Sequence, residues 1–162
     1  MKQDRFLLAI LAAIGILVIV ALGLFLARRG QQDYGPDDDA QGIVRNYVLA
    51  LEKGDYQRAY AYLRETTAMP DYDTFQRAFL TRQLDLSGAA LQIGEVRQTE
   101  TETVVTVTVV REGGGPFADV YRETSSALLV KDEAGSWKIS SLPYPYWGWD
   151  WYSPQTKTAP GF

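Results

Sequence analysis

Residues 42–66 read GIVRNYVLALEKGDYQRAYAYLRET, and this stretch decides the fold. Ile43, Val44, Tyr47, Val48 and Leu51 recur at steps of three and four, so they share one helix face. Tyr56, Ala59, Tyr60 and Leu63 repeat the pattern in a second helix. Between them, Gly54 stops the first helix and Asp55 caps the second by accepting from its free N–H groups. Such a pair cannot bury its stripe alone and requires a sheet to lie on.

Beyond the pair, Pro70 breaks the chain. Asp73 and Gln76 have capping-box spacing, and Tyr72, Phe75 and Phe79 line one face, which predicts a third helix from about Thr74 to Leu84. After Gly88 the apolar period changes to two. A first strand is predicted over 90–98, with Leu91, Ile93 and Glu95 on one side. The second, ETVVTVTVVR over 102–111, sets Val105, Val107 and Val109 against Val104, Thr106, Thr108 and Val110. One face is aliphatic and the other mixed, as in a sheet with helices on one side. EGGGP at 112–116 reads as a hairpin loop. It lacks the Lys-Ser/Thr and the helix of a phosphate-cradling loop. A third strand spans 120–131 and Asp132–Gly135 is a tight turn. In a fourth strand Trp137, Ile139 and Ser141 alternate with Lys138, Ser140 and Leu142. Three helices followed by antiparallel strands define an α+β domain with a sheet of about four strands.

Towards the amino terminus, Phe6 to Ala27 reads FLLAILAAIGILVIVALGLFLA without a charge. At about 1.5 Å per residue this run reaches about 33 Å, enough for a hydrocarbon core of about 30 Å. Residues 1–29 are therefore expected to be a single-pass signal anchor with its span at 6–27. A cleaved signal peptide is the lesser reading, since no clear Ala-x-Ala site follows. Lys2 and Arg5 balance Arg28 and Arg29, so flanking charge does not fix the orientation. The expectation is an amino terminus inside and the domain on the extracytoplasmic side of the cell membrane. Residues 30–40, GQQDYGPDDDA, read as an acidic, solvated linker. Asp37, Asp38 and Asp39 lack the alternation and distal Glu of a calcium loop and are read as a charge run that helps to cap the next helix.

Composition excludes whole chemistries. The chain of 162 residues has no cysteine and no histidine. Disulfides, thiolate nucleophiles, histidine triads and Cys- or His-ligated metals are therefore impossible within it. Residues 1–29 carry four of the 16 basic and one of the 20 acidic residues, which leaves 12 basic, 19 acidic and a net −7 for the rest. That balance argues against a nucleic-acid partner.

The pattern VRNYVLALEKGDYQRAYAYL, the Pro-Asp opening of the third helix and the ending SWKISSLPY together resemble the nuclear transport factor 2-like superfamily, in particular its bacterial membrane-tethered forms. The resemblance covers about Gln41 to Tyr144. It rests on Tyr47, Leu51, Gly54-Asp55, Ala59-Tyr60, Leu63 and Trp137-Lys138-Ile139. It implies a curved sheet wrapped round a long helix, a cone with an internal cavity. It implies no particular activity, because the superfamily hosts isomerases, dehydratases, transport adaptors and non-enzymatic modules.

A carboxylate-and-tyrosine site of the isomerase kind needs an acid in an apolar pocket. Asp71, Asp73, Asp85 and Glu95 are the acids to weigh, with Asp73 read as a helix cap and Glu95 as able to point inward. Tyr47, Tyr56, Tyr60 and Tyr62 read as core. No catalytic residue, metal site or cofactor is assigned. The carboxyl-terminal stretch LPYPYWGWDWY, residues 142–152, is the less ordinary one. Extended, it would place Trp147, Trp149 and Trp151 on one face. Tyr144, Tyr146, Trp147, Trp149, Trp151 and Tyr152 are the candidate ligand-binding residues, an aromatic platform for a sugar or peptide. The competing readings are that these rings fill the cone or cover a sheet edge, or dip into the membrane interface. The domain is expected over 41–152 and a disordered tail over 153–162. The functional expectation is a membrane-anchored, non-catalytic binding or scaffold module that meets an envelope protein, peptide or sugar. The alternatives are a cofactor-free isomerase or lyase and a spacer subunit of an envelope assembly.

Overall fold

A computed structural model describes residues 3–28, 33–99, 102–113 and 119–152. The chain separates into two units, divided between Tyr34 and Gly35. The first contains helix α1, Gln3–Arg28. Its described side chains, Ile10 to Leu24, are all exposed and apolar, and they lie on every side of the helix. Among the described residues no helix is long and apolar enough to cross a membrane. The span expected over 6–27 is therefore not found among them.

In the second unit, α2 spans Ala40–Lys53, α3 Tyr56–Ala61 and α4 Tyr72–Leu80. Asp39 caps α2 by accepting from the Gly42 N–H at 2.5 Å. Gly54 ends it in the left-handed region at φ 71°, and its N–H returns to the Ala50 and Leu51 carbonyls. Asp55 then caps α3 through Arg58 N–H. The cap of α4 is Asp71, which accepts from Thr74 N–H at 2.7 Å, and the helix stops at Leu80. This corrects both predicted bounds. Asp73 stands in the first turn, and Arg82 at φ 58° turns the chain before Leu84.

The strands β1 Ala89–Gln98, β2 Thr103–Glu112, β3 Val120–Lys131 and β4 Trp137–Ser141 form one antiparallel sheet in sequence order. Val105, Val107, Val109, Ala127, Leu129 and Ile139 are buried on its inner face. Helix α2 packs there and touches β1, β2 and β4, so Ile43, Val44, Tyr47 and Leu51 meet the valine stripe that the period-two pattern supplied. Glu95 does not join that face. The pairs Ile93–Val107 and Val96–Val105 leave Gly94 and Glu95 opposite Thr106 alone. This extra residue is a β-bulge, which turns Glu95 to solvent and bends the strand. The Gln41 side chain donates to the Gly94 carbonyl at 2.7 Å and ties the bulge to α2.

Part of the stretch 30–40 makes contacts with the folded unit that begins at Gly35. Buried Asn46 exchanges hydrogen bonds with the Gly35 backbone and donates to Asp37 Oδ1 at 2.6 Å. Asp37 also accepts from the Tyr62 hydroxyl at 3.0 Å and faces Arg58 at 4.0 Å. Residues 35–39 thus belong to the domain. The expected tail over 153–162 lies outside the described residues.

Candidate functional site

The carboxyl-terminal stretch departs from an extended strand because two turns fold it. Tyr146 N–H donates to the Pro143 carbonyl at 3.0 Å, and Trp151 N–H to the Gly148 carbonyl at 3.1 Å. Gly148 is required at the second turn, since a Cβ there would collide with the Trp151 indole. These turns bury Tyr146, Trp147 and Trp151 but leave Trp149 87% exposed. The single face expected for Trp147, Trp149 and Trp151 is therefore replaced by two environments.

Trp147 and Trp151 meet edge to face at 5.1 Å. Trp151 also packs against Phe75 at 5.3 Å and Phe79 at 6.2 Å, both on α4. Tyr152 stacks on Trp147 at 5.3 Å, and its hydroxyl donates to the Arg64 carbonyl. Buried Tyr47 on α2 donates its hydroxyl to the Tyr146 carbonyl at 2.8 Å. Tyr47, Phe75, Tyr146, Trp147 and Trp151 are all buried and form part of the core. The two candidates on the outside are Trp149 and Tyr144, the latter 49% exposed with the Arg111 guanidinium 4.7 Å above its ring.

The tyrosines are poor acids here. Burial, and then the Glu52 charge, push Tyr146 up to about 12 against a partial offset from Arg111. Burial likewise lifts Tyr152 to about 12, and Tyr47 rises through burial and the neighbouring Tyr152. A phenol held that high gives up its proton poorly near neutral pH. The Tyr146 hydroxyl is buried without a hydrogen-bond partner among the described residues.

None of the four weighed acids points into the domain. Asp71 is held as an anion chiefly by Thr74, and Asp85 by Ser87, both below the ordinary carboxylate value. Asp73 and Glu95 are exposed. The carboxylate whose charge acts on buried Tyr146 is Glu52, which sequence reasoning passed over. It lies in the last turn of α2 and lines a surface cleft of about 340 Å³ with Leu51, Tyr56, Phe79, Leu84 and Asp85. Partial desolvation raises its pKa. Its signal was available in the sequence, next to the apolar Leu51 on the helix, but nothing local identified Tyr146 as its neighbour.

The fold defines an α+β domain with a four-stranded antiparallel meander, α2 packed on it and α3 and α4 following in turn. No family model matches the chain, and no curated protein matches its sequence. Among solved structures it is similar to a SEC-C motif containing protein from Rhodopseudomonas palustris, at 14% identity and TM-score 0.48, over 74% of this chain and 84% of that one. It is also similar to a protein assigned as a ketosteroid isomerase from Shewanella frigidimarina, at 18% identity and TM-score 0.47, over 63% and 91%. A third is an NTF2-like transpeptidase assignment from Campylobacter jejuni, at 16% identity and TM-score 0.44, over 63% and 97%.

Proposed function

We propose that the chain is a membrane-tethered, non-catalytic binding or scaffold module whose domain is of the nuclear transport factor 2-like kind. The observation that carries the non-catalytic part is the filled interior. Tyr146, Trp147 and Trp151 are buried in the core, and the weighed acids face solvent. Ligand contact then falls to the exposed aromatics Trp149 and Tyr144, suited to a peptide, a sugar or an envelope protein.

The tether is supported by α1. A helix apolar on every side is stable in a hydrophobic surrounding and not in water. As a backbone element it has 26 residues, about 39 Å at 1.5 Å per residue. The proposed orientation keeps the short amino terminus inside and the domain outside. Membranes from cells that express the full chain, washed with carbonate, test this. The native chain stays in the pellet. A variant with Ile16→Lys and Leu17→Lys moves to the supernatant, because each charge at the bilayer centre costs about 3 kcal/mol. Native chain in the supernatant would refute the tether.

One observation favours a second reading, a cofactor-free isomerase or lyase. The unpartnered Tyr146 hydroxyl feels the Glu52 carboxylate. Under that reading a planar apolar ketone binds the native chain and loses affinity in Tyr146→Phe. Absence of binding by the native chain upholds the module.

A further inference from the structure

β3 runs for twelve residues, yet β4 pairs only with its last four, Leu128 to Lys131. On the opposite side β2 accompanies β3 from Val120 to Leu129. Among the described residues no strand lies beside β3 from Val120 to Ala127 on the side away from β2, and no backbone hydrogen bond reaches that side. The other sheet margins are treated differently. The outer edge of β4 is closed where Arg64 N–H donates to the Ile139 carbonyl at 2.9 Å and Ile139 N–H to the Tyr62 carbonyl at 2.8 Å. The margin of β1 is broken by the bulge that Gln41 holds. The free part of β3 is straight in register, and its residues Val120 to Thr124 are exposed, Tyr121 at 61%. A row of unsatisfied backbone donors and acceptors of this kind is a template for another strand.

We infer that Tyr121–Ala127 is the contact strand for a second copy of this chain, the two β3 strands pairing antiparallel into one eight-stranded sheet. Length and charge select this occupant and its register. A two-fold axis perpendicular to the sheet requires one residue to face its own copy. Centring on Arg122 or Glu123 opposes like charges, which destabilises a cross-strand pair. Centring on Ser125 sets Val120, Tyr121 and Arg122 opposite Val130, Leu129 and Leu128, three residues that already pair with β4. Centring on Thr124 pairs Tyr121 with Ala127, Arg122 with Ser126 and Glu123 with Ser125. That register pairs Tyr121 to Ala127 clear of β4, leaves only the first strand residue, Val120, opposite Leu128, and opposes no like charges. It also continues an existing row, because Thr124 Oγ1 already lies 3.2 Å from Thr108 Oγ1 on the same sheet face. The inference is independent of the module and tether readings.

The absence of cysteine from the chain makes the test direct. In antiparallel pairs facing Cα atoms lie about 4.5–5.5 Å apart, within reach of a disulfide. Full-length Thr124→Cys and Ser126→Cys are oxidised mildly in detergent, after far-UV circular dichroism has shown both folded. Thr124 is exposed and Ser126 lies on the same sheet face, but in Ser126→Cys the two thiols would stand four residues apart along the paired strands, about 14 Å. Disulfide-linked dimer is expected to form on the order of ten-fold faster in Thr124→Cys. Equal rates, as from random collision or from association through α1, would overturn the inference. So would the reverse order, or no cross-link, as when residues 153–162 hold the edge instead.

Discussion

Tyr47 and Tyr146 are both fully buried, but their hydroxyls stand in opposite positions. The Tyr47 hydroxyl satisfies the Tyr146 carbonyl at 2.8 Å, whereas the Tyr146 hydroxyl has no partner among the described residues. Removing a donor from a buried acceptor costs about 1–3 kcal/mol, while removing an unsatisfied hydroxyl is neutral or stabilising. Tyr47→Phe should therefore lower stability by about 1–2 kcal/mol. Tyr146→Phe should leave it unchanged or raise it by up to about 1 kcal/mol. Urea unfolding followed by tryptophan fluorescence separates the two, and a loss in Tyr146→Phe would mean that the hydroxyl is bonded. The same residue sets an alkaline limit. Its folded value of about 12 stands above the ordinary 10.0, so between those values the folded chain keeps a proton that the unfolded chain has released. The contribution is whole below pH 10, declines as pH rises and is lost through about 12. For Tyr146 it amounts to on the order of 2–3 kcal/mol. Unfolding midpoints measured from pH 9 to 12 should fall, and Tyr146→Phe should flatten that fall.

At the scale of elements, what the sequence made legible was set by local periodicity, and what it hid was set by single-residue insertions and turns. The stripe from Ile43 to Leu51 and the alternation of Val105, Val107 and Val109 placed α2 on the sheet because side-chain direction follows backbone period. Glu95 was misplaced because one extra residue at Gly94–Glu95 reverses every direction after it, and a bulge leaves little trace in composition. The Trp147–Trp151 alternation failed for a related reason. Two turns break the extended period that would have aligned it. Cap choice at α4 was ambiguous because Asp71 and Asp73 both precede the same apolar face, and only the Thr74 N–H contact decides. The difference is measurable. Asp71→Ala should lower the melting temperature, and Asp73→Ala should leave it nearly unchanged. At α2, Asp39→Ala should cost about 0.5–2 kcal/mol, typical of a lost N-cap. Gly54→Ala should cost about 1 kcal/mol, because Gly54 sits at φ 71° and a Cβ there is strained even though nothing crowds it. If Asp73→Ala proved as damaging as Asp71→Ala, the cap assignment would be wrong.

For the domain as a whole, the question is whether the aromatic carboxyl-terminal stretch is ligand surface or core, and geometry assigns the two roles to different residues of one short segment. Trp151 reaches Phe75 and Phe79 on α4 and Trp147 on its own segment, so it joins the last element of the chain to a helix some seventy residues earlier. Trp149, two positions away, is 87% exposed. A fully packed Trp truncated to Ala loses its transfer free energy and leaves a void, about 3–5 kcal/mol together. A surface substitution of the same chemistry stays within about 0.5 kcal/mol. Trp151→Ala should therefore be strongly destabilised, and Trp149→Ala should unfold like the native chain. If the interior is filled by these rings and nothing else, Trp151→Ala should also open an apolar site lined by Phe75, Phe79 and Trp147, since dry cavities of this composition admit small aromatic molecules. Benzene or a small aromatic dye should raise the melting temperature of Trp151→Ala and leave that of the native chain unaltered. A native chain that is itself stabilised by such a probe would show that the interior is open, and with it the reading of Trp147 and Trp151 as core would fall.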